Sequence, residues 1–150
     1  MADYPIKARI VASMKEAMRA RDKARLGTIR LILADFNRIE VDERIEVDDL
    51  RAVALLDKMV KQRRESIRQY EAGGRAELAA LEQAEIDVIQ EFLPAALNED
   101  EIADIIRSAI AESGAADMKA MGAVMNIVRP KLTGRADMSQ VSQLVKQLLT

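Results

Sequence analysis

The sequence contains no cysteine, no histidine and no tryptophan, and only two tyrosines and two phenylalanines among 150 residues. Without cysteine or histidine, the usual zinc sites, thiol nucleophiles, disulfides, Ser-His-Asp triads and iron–sulfur ligation are excluded. Carboxylates remain as ligands for magnesium or calcium, but no Asp-x-Asp-x-Asp-Gly loop is present. We therefore expect neither a metal nor a cofactor.

The scarcity of aromatic residues also restricts the fold class. Apolar residues make up 49% of the chain, which is enough for a real core, but aromatic residues make up only 3%. The core must therefore be built from Ile, Leu, Val, Met and Ala, a composition that suits helix-on-helix packing better than a β-sheet. We predict an all-α protein.

Long apolar runs are missing as well. The N-terminal residues Met-Ala-Asp-Tyr-Pro-Ile-Lys lack the apolar stretch of a signal peptide, and no window is long and apolar enough to span a membrane. The absence of cysteine fits a reducing compartment. These features predict a cytoplasmic protein with no membrane partner.

Charge is nearly balanced overall, with a net charge of −2, but it is unevenly distributed along the chain. Residues 7–30 carry eight cations against two carboxylates, whereas residues 40–49 carry six carboxylates against one cation. Such blocks usually form solvated helix faces that pair with one another. The alternative is a basic docking face for an acidic partner.

Apolar residues recur every three or four positions along most of the chain, as in amphipathic helices. In residues 1–94 this spacing predicts a helical domain of about four helices. Asp22 should cap the second helix, Asp48 or Asp49 the third, Gly73-Gly74 should end the third, and Pro94 should end the fourth near Phe92. The positions predicted to face inward are Ile6, Ile10, Met14, Met18, Leu26, Ile29, Leu33, Phe36, Val53, Leu56, Val60, Ile67, Leu78, Leu81, Ile86 and Ile89.

Residues 95–150 predict a second domain, a bundle of three helices. Asn98 and Glu101 have the spacing of a capping box, and Ser113-Gly114 should end the helix that they start. Pro130 should kink or end the next helix unless it lies in the final turn. Gly134 and Asp137 then form a turn and an N-cap. The positions predicted to face inward are Ile102, Ile105, Ile106, Ala109, Ile110, Met118, Met121, Val124, Met125, Val128, Val141, Leu144, Val145 and Leu148.

Cations near the Gly134 turn are the first candidate for a binding site. Lys131, Arg135 and Lys146 could converge there, joined by Lys119 if its helix packs beside the turn. Arg and Lys supply donors to phosphate, and glycine lets a backbone approach closely. The alternative is that these cations pair with surface carboxylates. No aromatic platform accompanies them, so folded RNA is a better candidate ligand than a stacked single strand.

Gly122 is the second candidate, because a glycine inside a helix costs up to about 1 kcal/mol relative to alanine. Close approach of another helix would compensate that cost, as would close approach of a phosphate backbone. The neighbouring methionines are either ordinary core or a pliable groove for a partner helix.

Catalytic residues are not evident. Glu82, Glu85 and Glu91 share a helix without any sign of a pocket, and no serine lies in a Gly-x-Ser-x-Gly motif. Gly73-Gly74-Arg75 lacks the Gly-Lys-Ser/Thr continuation of a phosphate loop.

Over essentially its whole length the chain resembles the YqeY family, small bacterial proteins related to the tail domain of the GatB subunit of aspartyl/glutamyl-tRNA amidotransferase. Each motif is weak alone, but their order and spacing are specific. They are Met14-Lys15-Glu16-Ala17-Met18, Asp22-Lys23, Leu26-Gly27-Thr28-Ile29-Arg30, Lys61-Gln62-Arg63-Arg64-Glu65-Ser66, Gly73-Gly74-Arg75-Ala76-Glu77-Leu78 with Glu82 and Glu85, Phe92-Leu93-Pro94, Met121-Gly122-Ala123-Val124-Met125, and Gly134-Arg135-Ala136-Asp137 with Val141, Val145-Lys146 and Leu148-Leu149.

The resemblance implies two helical domains, the second similar to the GatB tail that meets tRNA. It also links the family to carbon–nitrogen ligase activity with glutamine as amide donor. Glutamine hydrolysis needs an activated nucleophile, which this chain lacks. Our leading hypothesis is therefore a non-catalytic adaptor for tRNA or a tRNA-containing complex. The residues expected at this nucleic-acid interface are Lys119, Gly122, Lys131, Gly134, Arg135 and Lys146.

Two alternatives belong to other functional classes. One is a protein–protein interaction module that uses the basic first helix or a Met-rich surface. The other is an amidotransferase component that is active only within a complex.

Overall fold

The computed structural model describes residues 4–149, which form seven α-helices and one short 3-10 helix and contain no strand. The predicted all-α fold is confirmed. The helices are α1 (Pro5–Ala20), α2 (Lys23–Glu43), α3 (Asp49–Ala72), α4 (Ala76–Gln90), α5 (Glu99–Ser113), the 3-10 helix (Met118–Ala120), α6 (Met121–Leu132) and α7 (Met138–Leu149).

The chain divides into two compact units, the first ending at Leu93 and the second beginning at Pro94. The first contains α1–α4 and the second α5–α7. Within residues 4–149 no helix is both long enough and apolar enough to cross a membrane.

Several helix ends lie where the sequence predicts them. The Asp22 carboxylate accepts the backbone N–H of Arg25 at 3.2 Å. Asn98 and Glu101 form the predicted capping box, with reciprocal hydrogen bonds of 2.8 and 3.2 Å. These polar side chains satisfy backbone N–H groups that the first turn of a helix leaves unpaired.

The core of the first unit collects the inward faces of all four helices. Ile10, Ile29, Phe36, Leu56 and Ile89 are fully buried within it. All four aromatic residues of the chain belong to this unit, and both phenylalanines lie in its core. The other side chains of this core are apolar and carry no aromatic ring.

The core of the second unit contains no aromatic residue and consists of aliphatic side chains and Met125. Ile106, Val124, Val128, Val141 and Val145 have no exposed surface. Pro130 lies in the last turn of α6, which ends at Leu132, so the helix accommodates it close to its end.

Three residues predicted to face inward are exposed instead, Met18 and Leu81 in the first unit and Met118 in the second. Met18 is 50% exposed, because a strict spacing of four residues drifts by about 40° per step around a helix, and Ala17 takes the buried position. Leu81 is 63% exposed, because Ala79 is the buried residue and a position two residues later points about 200° away.

The methionines before and within α6 do not share one environment. Met118 lies in the 3-10 helix rather than in α6 and is 39% exposed, whereas Met125 is buried. Met121 is half-buried against the core of the second unit. The core interpretation therefore holds for Met125 and partly for Met121, but not for Met118.

Candidate nucleic-acid interface

The connection between α6 and α7 is a tight turn held by hydrogen bonds from the end of α6. The Thr133 hydroxyl donates to the carbonyl of Arg129 at 2.7 Å, and the N–H of Arg135 donates to the carbonyl of Leu132 at 2.9 Å. Gly134 has a φ of 79°, in the left-handed region that glycine adopts without strain. The turn predicted at Gly134 is confirmed.

The backbone of Arg135 is held in this turn through both its N–H and its carbonyl. Its carbonyl accepts the N–H of Leu97 at 3.0 Å, which ties the turn to the segment before α5. Its side chain is half-buried, and its Nε is fully buried without an acceptor among the described residues. A buried N–H without an acceptor carries a desolvation cost.

The basic residues of the second unit are mostly without carboxylate partners. Arg107 pairs with Asp104 at 3.2 Å. For the other five, no carboxylate of a described residue lies within 4.0 Å. These five are Lys119, Arg129, Lys131, Arg135 and Lys146.

In the first unit, by contrast, several cations are paired across the fold. Lys7 of the basic block binds Glu40 of the acidic block at 2.8 Å, and Arg63 binds Glu85 at 2.8 Å. The prediction that the charge blocks pair with one another is confirmed for Lys7 and Glu40. Glu85 is thus engaged in an ion pair with Arg63.

The structure brings only part of the predicted cation set to the turn. Lys131 lies in the last turn of α6 and Arg135 in the connection itself. Lys119 precedes α6, about 18 Å from Lys131 along the helix axis, and Lys146 lies about 12 Å into α7 from its start. Lys119 and Lys146 are exposed but remote from the turn.

Gly122 does not have the environment that the sequence suggests. A Cβ built on it would meet no atom within 4 Å, so no other helix approaches it closely. The expected helix contact is wrong, and its physical cause is that Gly122 lies on the exposed side of α6.

Arg129 is a further cation near the turn that was not among the predicted site residues. It is exposed and lies in the last turn of α6 with Lys131. Its signal is its position two residues before Lys131 at a helix C-terminus, where cations are also favoured by the helix dipole.

A concave region of this unit lies between the start of α5 and α7. It has a volume of about 450 Å³. Two carboxylates, three glutamines and four apolar residues line it, and the carboxylates repel phosphate. The lining residues are Glu99, Asp100, Ile102, Ala103, Gln140, Val141, Gln143, Leu144 and Gln147.

The described part of the chain contains no group of side chains that could hold a metal ion. No three carboxylates converge there in the way that a metal site requires.

Curated relatives include three fungal proteins that share the name Altered inheritance of mitochondria protein 41, mitochondrial. The Pyrenophora tritici-repentis protein is 30% identical over 145 residues, which cover 94% of this chain and 79% of that protein. The Eremothecium gossypii protein is 36% identical over 59% of this chain and 49% of its own length, and the Lachancea thermotolerans protein is 31% identical over 57% and 46%. The chain thus aligns with about half the length of the latter two.

These names contradict the predicted cytoplasmic location, because the relatives are named as mitochondrial proteins. The prediction was wrong in its reasoning. Targeting segments for mitochondria are amphipathic rather than apolar, so the lack of an apolar N-terminal stretch does not argue against them. A composition without cysteine does not separate one reducing compartment from another.

The family assignment itself rests on nearly the whole chain. A family model described as Yqey-like protein matches residues 7–149, which include every helix of both units except the first two residues of α1. The motifs that carry the resemblance therefore lie within the match. This chain belongs to the YqeY family.

Proposed function

We propose that this protein is a non-catalytic adaptor that binds tRNA, or a complex containing tRNA, through the turn between α6 and α7. The observation that carries the proposal is that Arg135 and Lys131 lie in the same turn region and that neither has a carboxylate partner among the described residues. A phosphate oxygen is an acceptor that a guanidinium binds strongly.

Charge supports the same surface. Lys131 is exposed at the end of α6 with no carboxylate partner among residues 4–149, so it is available to phosphates, whereas Arg129 points about 200° away around the same helix. Gly134 adds no side chain and lets a backbone come close. The resemblance to the GatB tail favours tRNA over other folded RNAs.

The composition favours a binding role over a role in which the isolated chain is itself a catalyst. The sequence offers no cysteine or histidine as an activated nucleophile or base. Binding through phosphates, on the other hand, needs only the cations that the second unit presents.

The test is a titration of labelled total tRNA by fluorescence polarisation at several salt concentrations. We expect the logarithm of the affinity to fall linearly with the logarithm of salt concentration, with a slope of a few units. Arg135→Gln and Lys131→Gln should each weaken binding and reduce the slope by about one. Arg107→Gln is the matched control, because Arg107 lies in the same unit but is paired with Asp104.

Affinity that does not depend on salt, or that survives the Arg135→Gln/Lys131→Gln double variant unchanged, would overturn the proposal. Glutamine-dependent amidation of misacylated tRNA by the purified chain would overturn the non-catalytic part.

The alternative of a protein–protein module rests on a different observation. Lys15 and Arg19 on α1 are exposed and have no carboxylate partner among the described residues. This alternative replaces RNA binding if two results are obtained in pull-down experiments. A protein must remain associated with the chain after nuclease treatment, and the Lys15→Glu/Arg19→Glu variant must no longer bind that protein.

A further inference from the structure

The outward face of α2 carries a stripe of residues that nothing in the first unit covers. We define the outer stripe as Gly27, Leu31, Ala34, Arg38 and Val41. Leu31 is 48% and Val41 76% exposed, and a Cβ at Gly27 would meet no atom within 4 Å. The opposite face of α2 is in the core, so this face is the free side of the helix.

The spacing along the outer stripe is four, three, four and three residues. That is the spacing of the a and d positions in a coiled coil, with Leu31 and Arg38 at a and Ala34 and Val41 at d. Two large apolar side chains separated by alanine and arginine form a narrow contact seam rather than a broad surface patch. A second helix with the same spacing is therefore a suitable occupant.

Charges on the two flanks of the stripe have opposite signs. Arg30 lies on one flank, at a g position, and Asp35 and Asp42 lie on the other, at e positions. In a parallel pair of helices, g of one chain faces e of the other five residues later. Arg30 of each copy would then meet Asp35 of the second copy, whereas an antiparallel pair would place acidic flank against acidic flank.

We infer that the outer stripe of α2 is a self-association surface, on which a second copy of this chain docks its own α2 in parallel around a two-fold axis. Arg30 is free for the interaction, because no carboxylate of residues 4–149 lies within 4.0 Å of it. Asp35 is held only loosely, with its oxygen 3.8 Å from Arg38.

Arg38 sets the register of the pair. A single polar residue at an a position lowers stability but selects one alignment and a two-stranded state. Its side chain is 61% exposed and reaches Asp35 on the flank, so the guanidinium leaves the seam while its stem stays in contact.

The association should be weak. The stripe spans about 21 Å of helix, and two helices in contact over that length bury less than the roughly 1,200 Å² of a stable interface. We expect a dissociation constant on the order of 10–100 µM. Sedimentation equilibrium between about 1 and 500 µM chain covers the transition by mass action.

Leu31→Asp and Val41→Asp should each raise the dissociation constant about tenfold or more, because a charge enters the seam. Leu81→Asp is the matched control, because the exposure of Leu81 on α4 lies between those of Leu31 and Val41, and this variant should leave association unchanged. Arg30→Asp and Asp35→Arg should each weaken the dimer about fivefold, and the double exchange should restore it. Circular dichroism checks that each variant remains helical.

The absence of cysteine allows a direct test of geometry. In Ala34→Cys the only thiols of the two copies face each other at a d position, so mild oxidation with oxidised glutathione should link them. Ala84→Cys, which is exposed on α4, should not cross-link. A chain that is monomeric throughout the concentration range, a dimer insensitive to Leu31→Asp and Val41→Asp, or a failure of the Ala34→Cys link would each overturn the inference.

Discussion

Arg25 and Glu91 are joined by two hydrogen bonds, of 2.6 and 3.1 Å, although 66 residues separate them in the sequence. Arg9 donates to the carbonyl of the same glutamate at 2.9 Å and lies 5.9 Å from the centre of the Phe92 ring. The hydrogen bond that Arg25 donates to the Glu91 carboxylate is the main cause that raises the pKa of Arg25. The residue after α4 thus holds α1 and α2 together.

We expect Glu91→Gln to destabilise the first unit by about 0.5–1 kcal/mol, since Glu91 is half-exposed and water screens the pair. The measurement is urea unfolding followed by circular dichroism. Glu71→Gln, an exposed residue near the end of α3 without an ion pair among residues 4–149, should change the free energy of unfolding little. Equal effects of the two variants would show that the contact is energetically neutral.

Glu40 should give the first unit a stability that depends on pH. Its carboxylate accepts two hydrogen bonds of 2.8 Å from Lys7 and one of 3.0 Å from the N–H of Val47. The Lys7 bonds chiefly lower the pKa of Glu40. A lowered pKa in the folded state stabilises the fold above the unfolded pKa of about 4.3, and that contribution is lost as pH falls through the folded value.

We therefore expect Glu40→Gln to cost about 1–2 kcal/mol at pH 7 and progressively less below pH 4. Unfolding by urea at several pH values between about 7 and 3 measures the difference. Asp42→Asn, an exposed neighbour with no ion pair among the described residues, is the control. A cost for Glu40→Gln that stays constant down to pH 3 would contradict the assignment.

Asn98→Ala should lower the stability of the second unit by about 1 kcal/mol, because it removes the acceptor for the N–H of Glu101 and opens the capping box. Thermal unfolding by far-ultraviolet circular dichroism measures the loss. Ser108→Ala, at an exposed position within α5, should leave the melting temperature the same or slightly higher. A wild-type melting temperature for Asn98→Ala would rule out a stabilising role for the cap.

Gly122→Ala separates stability from binding. The added methyl meets no atom within 4 Å, so the variant should be more stable by about 0.5–1 kcal/mol. Its tRNA affinity reports whether glycine is needed for close phosphate approach. Wild-type affinity would remove Gly122 from the proposed interface, whereas a loss of affinity despite higher stability would keep it there.

Local sequence signals were sufficient to predict the helices of this fold. Asp22, Asn98 and Gly114 mark helix ends through side-chain or backbone chemistry that acts within a few residues, and each lies where expected. Arg21 and Arg44 show the limit of such signals. Both end helices in the left-handed conformation with φ near 55°, a position where sequence predicts glycine or asparagine.

The surfaces were less predictable, because they depend on which helix packs against which. The sequence predicts Leu81 as a core residue, but Ala79 occupies the packed face of α4 instead. Likewise, the sequence pattern groups Lys119 and Lys146 with Gly134, but the lengths of α6 and α7 place both lysines away from the turn. The buried Nε of Arg135 has no counterpart in the sequence pattern.

Because all four aromatic residues lie within residues 1–93, the two units can be followed by different spectroscopic signals. Tyrosine emission and near-ultraviolet dichroism arise from the first unit alone, while far-ultraviolet dichroism sums the helices of both. If the two signals change at different urea concentrations, the halves melt separately; if they coincide, one cooperative transition governs the whole polypeptide.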